Sequence, residues 1–187
     1  MAHIVGFAGS FSSPSRTRAL VQAAVDDAAQ RTGLEGLVFD LGDLGPSLGT
    51  AQHLFDLANG ARDLVLSLLD ADAIVIGSPV YKGSYTGLFK HLFDLIEPEA
   101  LRGKPTLLTA TGGGHRHALV IEHQLRPLFG FFEANVVPTG VYAASSDLQD
   151  GRIASPDIAT RLEGAVSQLV AAIAPAKEAA RPRSAAA

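Results

Sequence analysis

Cysteine is absent from all 187 residues, which excludes disulfides, thiolate nucleophiles, iron–sulfur clusters and cysteine-ligated zinc. Charge is sparse: 18% of the residues are Asp, Glu, Lys or Arg, and the formal net charge is −4. So mild an imbalance gives no reason to expect nucleic acid or an anionic membrane surface as a partner. No apolar run approaches the roughly 20 residues that a membrane-spanning helix needs. The opening Met1-Ala2-His3-Ile4-Val5-Gly6-Phe7-Ala8-Gly9 has no basic stretch ahead of a long apolar one, so it reads as a first core strand and not as a signal peptide. A soluble cytoplasmic protein is expected. Internal repeats and dividing linkers are also lacking. What is plentiful is apolar side chain, 47% of the chain, enough to fill the core of one domain of this length.

Short apolar runs alternate with longer helical stretches from end to end. Strands are expected at residues 3–8, 37–41, 73–77, 105–110 and 136–144, because these runs are β-branched or continuously apolar, as strands covered on both faces must be. Helices are expected at 16–31, 52–69, 86–96, 117–132 and 155–173. The last opens with Ser155-Pro156-Asp157, an N-cap followed by proline at the first helical position. Five βα repeats imply right-handed crossovers and a doubly wound five-stranded parallel sheet with helices on both faces. Ligands then bind at the carboxyl ends of the strands. Residues 1–174 are expected to form the domain, and 175–187, rich in Ala, Pro and Arg without periodicity, a C-terminal tail.

Three segments follow expected strands and carry polar or glycine residues where a ligand would lie. The first is Gly9-Ser10-Phe11-Ser12-Ser13-Pro14-Ser15-Arg16-Thr17-Arg18. Hydroxyls and two arginines cluster there at a helix start, where free N–H groups and the helix dipole favour a phosphate. Neither a Walker A loop nor the dinucleotide Gly-x-Gly-x-x-Gly is present, and a serine-rich helix-capping turn is the plain alternative. The second is Gly77-Ser78-Pro79-Val80-Tyr81-Lys82-Gly83-Ser84-Tyr85-Thr86-Gly87. Its backbone groups and the faces of Tyr81 and Tyr85 suit a flat ring with a polar edge, such as an isoalloxazine. The third is Thr109-Ala110-Thr111-Gly112-Gly113-Gly114-His115-Arg116-His117, whose glycines permit close backbone approach to a flat ligand. Together the three describe a mononucleotide lying across the top of the sheet.

From Ile4 to Leu169 the chain resembles the NAD(P)H-dependent FMN reductase family, in particular the flavin reductases of two-component alkanesulfonate or methanesulfonate monooxygenase systems. The resemblance rests on Pro14-Ser15-Arg16, on Pro79-Val80-Tyr81-Lys82 with Tyr85-Thr86-Gly87, on Ala110-Thr111-Gly112-Gly113, and on Leu125-Arg126-Pro127-Leu128. It implies a flavodoxin-like fold, FMN as the flavin, its reduction by NADPH or NADH, and a transient flavin-dependent monooxygenase as partner. It implies that Ser10, Ser15, Arg16, Thr17 and Arg18 hold the phosphate. Pro79, Val80, Tyr81, Lys82, Gly83 and Ser84 would flank the ring, with Thr111, Gly112, Gly113 and His115 at its other edge. Relatives often carry an arginine soon after the first Gly-Ser, where this chain has Phe11 and Ser12; Arg16 and Arg18 could supply that charge. The resemblance also implies an inserted residue and a π-bulge in the following helix, at His123 by counting back from Arg126-Pro127. A half-buried interface histidine is the competing reading.

Hydride transfer between stacked rings asks the protein mainly for positioning, so no catalytic side chain is assigned. His115, His117 and His123 lack a carboxylate triad or a His-Glu-x-x-His pattern, and no metal site is expected. Gly9-Ser10 lacks the Gly-x-Ser-x-Gly elbow of a hydrolase. Two alternatives stay open: a quinone or azo reductase that keeps its FMN, and a non-enzymatic flavodoxin-like carrier. The apolar face of residues 117–132, ending Phe129-Gly130-Phe131-Phe132, would be poorly covered in a monomer, so a homodimer or homotetramer is expected.

Overall fold

Every strand of the main sheet runs in the same direction. The computed structural model describes residues 3–180. Its strands and α-helices run β1 (His3–Ala8), α1 (Arg16–Thr32), β2 (Glu35–Asp40), α2 (Leu41–Leu44), α3 (Asn59–Asp70), β3 (Ala73–Pro79), α4 (Gly87–Asp94), β4 (Pro105–Gly112), α5 (Arg126–Phe131), β5 (Asn135–Val136), β6 (Val141–Ala144), β7 (Leu148–Gln149), β8 (Arg152–Ile153) and α6 (Pro156–Ala180). The sheet order is β2-β1-β3-β4-β5, with β6 continuing beside β4. This is the flavodoxin-like order, whose switch point lies between β1 and β3.

Alternation along β1 sorts the core into two layers. Val5 and Phe7 join Ile74, Ile76 and Leu108 under α3, α4 and α5. Ile4 and Ala8 join Val75 and Leu107 under α1 and α6. Helix α1 sits close on the sheet because Gly77 has no side chain: a Cβ there would lie 2.5 Å from Val21 and 2.8 Å from the Thr109 hydroxyl. That close seat brings the first turn of α1 against the ends of β3 and β4.

The fifth strand departs from the expected single run at 136–144. Thr106 pairs with Val136 and Thr109 with Val141, so Leu107 and Leu108 stand opposite four residues, 137–140. Pro138 lacks a donor and cannot continue a ladder, so the chain detours. Its carbonyls find other donors: Arg126 reaches Val137 O and Pro138 O, and Arg161 reaches Gly140 O at 2.7 Å.

Helix boundaries differ in four places. The stretch expected from 52 begins only at Asn59, because the Asp56 carboxylate accepts the Gln52 and His53 N–H groups and closes a local 3₁₀ turn. Thr86 caps α4 through its hydroxyl, so the helix starts at Gly87, and it ends at Asp94 rather than at residue 96. The segment expected as one helix over 117–132 is a 3₁₀ turn at His115–His117, a π-helical turn at Ile121–Leu125 and then α5. In the π turn the Arg126 N–H reaches Ile121 O, one residue beyond the α-helical partner, and His123 sits at its centre. Helix α6 runs on past the expected end at 173 to Ala180; the rest of the C-terminal stretch, 181–187, lies outside the described residues. Among the described residues no helix is long and apolar enough to cross a membrane.

Candidate functional site

The carboxyl ends of β1, β3 and β4 open onto a cleft of about 800 Å³. One end of it is built by the β1–α1 loop. Ser15 caps α1, its hydroxyl accepting the Arg18 N–H at 3.1 Å. The Arg16 and Thr17 N–H groups lie in the first turn, where a helix offers them no carbonyl partner. Ser10, Ser12, Pro14, Ser15, Arg16 and Thr17 all line this end. The Arg16 guanidinium donates to the Ser145 hydroxyl at 3.3 Å, and that hydroxyl donates to Gly112 O.

Arg18 points elsewhere. Its guanidinium pairs with Asp40 at 2.8 Å and with Asp43, and donates to Val38 O, so the structure does not bring it into the cleft. The Asp43 hydrogen bond raises the Arg18 pKa further. Partial burial pushes the Asp43 carboxyl up, yet the Arg18 and Asp40 hydrogen bonds outweigh it and hold Asp43 below its ordinary value.

The other end of the cleft is walled by Pro79, Val80 and Tyr81 on one side and Thr111, Gly112 and Gly113 on the other. The Val80 N–H donates to Thr111 O at 2.7 Å, which ties the two walls together. The Thr17 and Thr111 hydroxyls, both buried, meet at 2.7 Å and tie them to α1. A Cβ on Gly112 would lie 2.3 Å from the Tyr142 hydroxyl. That hydroxyl donates to Gly114 O at 2.6 Å, and burial holds its pKa above the usual phenol value, so it stays a donor.

Lys82 and Gly83 form a tight turn with φ of 53° and 85°, across which Tyr81 and Ser84 exchange backbone hydrogen bonds. Lys82, Gly83 and Ser84 lie outside the cleft lining. The Ser84 hydroxyl instead donates to Gln124 Oε1 at 3.0 Å, joining the turn to the π-helical segment. Tyr85 packs its ring on Phe89 rather than into the cleft. His115, exposed in the 3₁₀ turn beyond Gly114, is also outside the lining.

Sequence reasoning missed one wall. Leu148, Gln149, Asp150 and Gly151 of the β7–β8 hairpin, with Ser145 in the 3₁₀ turn just ahead of it, close the cleft. Asp150 and Gly151 have φ of 47° and 73°, so an Asp-Gly pair between Leu148 and Ile153 is the local signal that could have found the hairpin. Below it, the Asp147 carboxylate accepts the Ala144 N–H at 2.8 Å. Ser12 and Pro14 belong to the first loop but carried no assignment.

The cleft therefore joins hydroxyls, free backbone donors and one guanidinium at one end to a flat, backbone-lined slot at the other. It can take an elongated ligand with an anion at its tail and a planar ring at its head. A second, more apolar groove lies between α4 and α5, where Phe93, Ile96, Leu128 and Phe132 meet Phe55 and Phe131, which are 76% and 66% exposed.

The family model for NADPH-dependent FMN reductase matches residues 2–149. The chain is 41% identical over 168 residues to the NADH-dependent FMN reductase SfnE of Pseudomonas putida, covering 90% of each. It is 42% identical over 159 residues to an FMN reductase (NADPH) of Pseudomonas aeruginosa, covering 85% of this chain and 86% of that one. Among solved structures, an oxidoreductase of Corynebacterium diphtheriae superposes with a TM-score of 0.80 at 33% identity, over 93% of this chain and 98% of the other.

Proposed function

The chain belongs to the NADPH-dependent FMN reductase family, and we propose that it oxidises NADH or NADPH to reduce FMN, which it then supplies to a partner flavin-dependent monooxygenase. The observation that carries this is the shape of the cleft above the sheet: phosphate chemistry at the end of β1, a planar slot between the ends of β3 and β4. The donor set fits FMN. Ser10, Ser12, Ser15, Thr17 and Arg16 would hold its phosphate, the α1 N-terminus adding its dipole. Pro79, Val80 and Tyr81 would lie along one face of the ring and Thr111, Gly112 and Gly113 along its edge. FMN, when bound, supplies a ring that accepts hydride from the nicotinamide. The protein's own part is to position: the Val80–Thr111 and Thr17–Thr111 bonds fix the width of the slot, and Tyr142 fixes the Gly112–Gly114 backbone.

We assign this activity to residues 1–174 as one domain, working in the cytoplasm beside its nicotinamide supply, and assign its partner monooxygenase to sulfonate sulfur assimilation. Purified protein mixed with NADH or NADPH and free FMN, FAD or riboflavin should consume the nicotinamide fastest with FMN. No consumption above the protein-free rate with any flavin would overturn the proposal.

The exposed Phe55 and Phe131 at the α4–α5 groove favour a homodimer or homotetramer, since monomers seldom leave such patches uncovered. Light scattering should therefore give a dimer or tetramer mass, and a monomer mass at micromolar concentration would refute it.

A further inference from the structure

Building on the flavin-binding reading of the cleft, we propose that Asp150 sets the affinity for the flavin phosphate, holding it low enough for the flavin to be passed on. Two residues lining the cleft carry a formal charge, Arg16 and Asp150, and they are of opposite sign. The second arginine of the phosphate loop does not alter that balance, because Asp40 and Asp43 already neutralise Arg18 outside the cleft. A phosphate entering the cleft therefore meets one guanidinium, a helix N-terminus and, against them, one carboxylate. A cleft meant to retain a dianion gains nothing from that carboxylate; a cleft that must release one does.

The backbone that carries Asp150 is fixed. Asp150 occupies the first position of a two-residue turn at φ 47°, between the paired strands β7 and β8. The base of the hairpin is fastened by Asp147, whose backbone carbonyl accepts the Ala154 N–H at 2.8 Å while its side chain accepts the Ala144 N–H. Arg16 is bonded to Ser145 at the root of the same segment, so the cation and the anion belong to one connected wall. The charge of Asp150 repels the phosphate, whereas the oxidised ring has no net charge for it to repel.

Asp150→Asn removes the charge and keeps the turn, since asparagine suits a positive φ before glycine at least as well as aspartate. Dissociation constants for FMN and for riboflavin, read from flavin fluorescence on parent and D150N, test the proposal. At low ionic strength D150N should bind FMN roughly three- to tenfold more tightly, riboflavin should be unchanged, and the gain should shrink as salt is added. If the parent prefers FMN over riboflavin but D150N binds FMN no more tightly, the proposal falls while the flavin-site reading stands. If D150N weakens both flavins alike, Asp150 serves as an acceptor for the part they share, and the proposal falls again. If the parent binds the two flavins equally, the phosphate site itself is wrong and both readings are overturned.

Discussion

Replacing Arg16 with alanine is expected to raise the FMN dissociation constant by roughly ten- to a hundredfold while leaving riboflavin binding unchanged, the range that a charge-assisted hydrogen bond of about 1.5–3 kcal/mol gives. Arg16 is the cation that lines the cleft, and its present partner is a neutral hydroxyl, that of Ser145, which a phosphate can displace or share. The same substitution at Arg18 should leave the ratio of the two flavin affinities as it was. Its cost falls on stability, because Asp40 and Asp43 would lose their shared partner next to the end of β2. Titration of both variants with both flavins separates the two arginines. An R18A protein that loses its preference for FMN, beside an R16A protein that keeps it, would exchange their roles.

Replacing Phe89 with alanine is expected to lower the unfolding free energy by about 3–5 kcal/mol, a large part of what a domain of this size possesses. Phe89 is fully buried on α4 and lies at the centre of an aromatic cluster. Its ring centroid is 4.9 Å from Phe93, 5.4 Å from Tyr85 and 5.7 Å from Phe7. The loss combines transfer and cavity terms. The cluster also underlies the site, since Tyr85 follows the Tyr81–Ser84 turn and Thr86 caps the same helix while bonding Gly9 O at 3.1 Å. Urea unfolding of parent and F89A gives the difference directly. A shift in midpoint worth less than about 1 kcal/mol would show that the surrounding rings collapse into the space.

The parts of this fold that could be read from the residues are those that local chemistry decides. The run Ala73-Ile74-Val75-Ile76, β-branched and apolar, reads as a strand covered on both faces, and Ser15 ahead of a helical stretch suits an N-cap. With β1, β3 and β4 in place, the chemistry of the loops that follow them gave the cleft its two ends. What could not be read is decided at a distance. Ser15-Arg16-Thr17-Arg18 shows two arginines near one another, but Asp40 and Asp43, more than twenty residues on, draw Arg18 away. Lys82 to Ser84 follow directly on cleft residues, yet the positive φ of Lys82 and Gly83 turns the chain back within two residues. The Asp150-Gly151 pair has the composition of a hairpin turn, though no hairpin was among the expected elements; that it closes the cleft depends on the path from β6 to α6. At 136–144 the apolar character suggested a continuous strand and outweighed Pro138, which had the final say.

That interrupted fifth strand has a consequence for how the molecule behaves in a crowd. The far rim of a parallel sheet offers a row of unpaired donors and acceptors on which a strand from another molecule could grow. Here the rim is cut into stretches of two and four residues, and three of the four carbonyls of the detour between them, those of Val137, Pro138 and Gly140, are already occupied by Arg126 and Arg161. The backbone N–H of Thr139 is likewise taken, by the Gln168 side chain of α6 at 2.9 Å. A passing chain finds no template long enough to register against. The kink that spoils the regularity of the sheet thereby guards this rim against edge-to-edge aggregation.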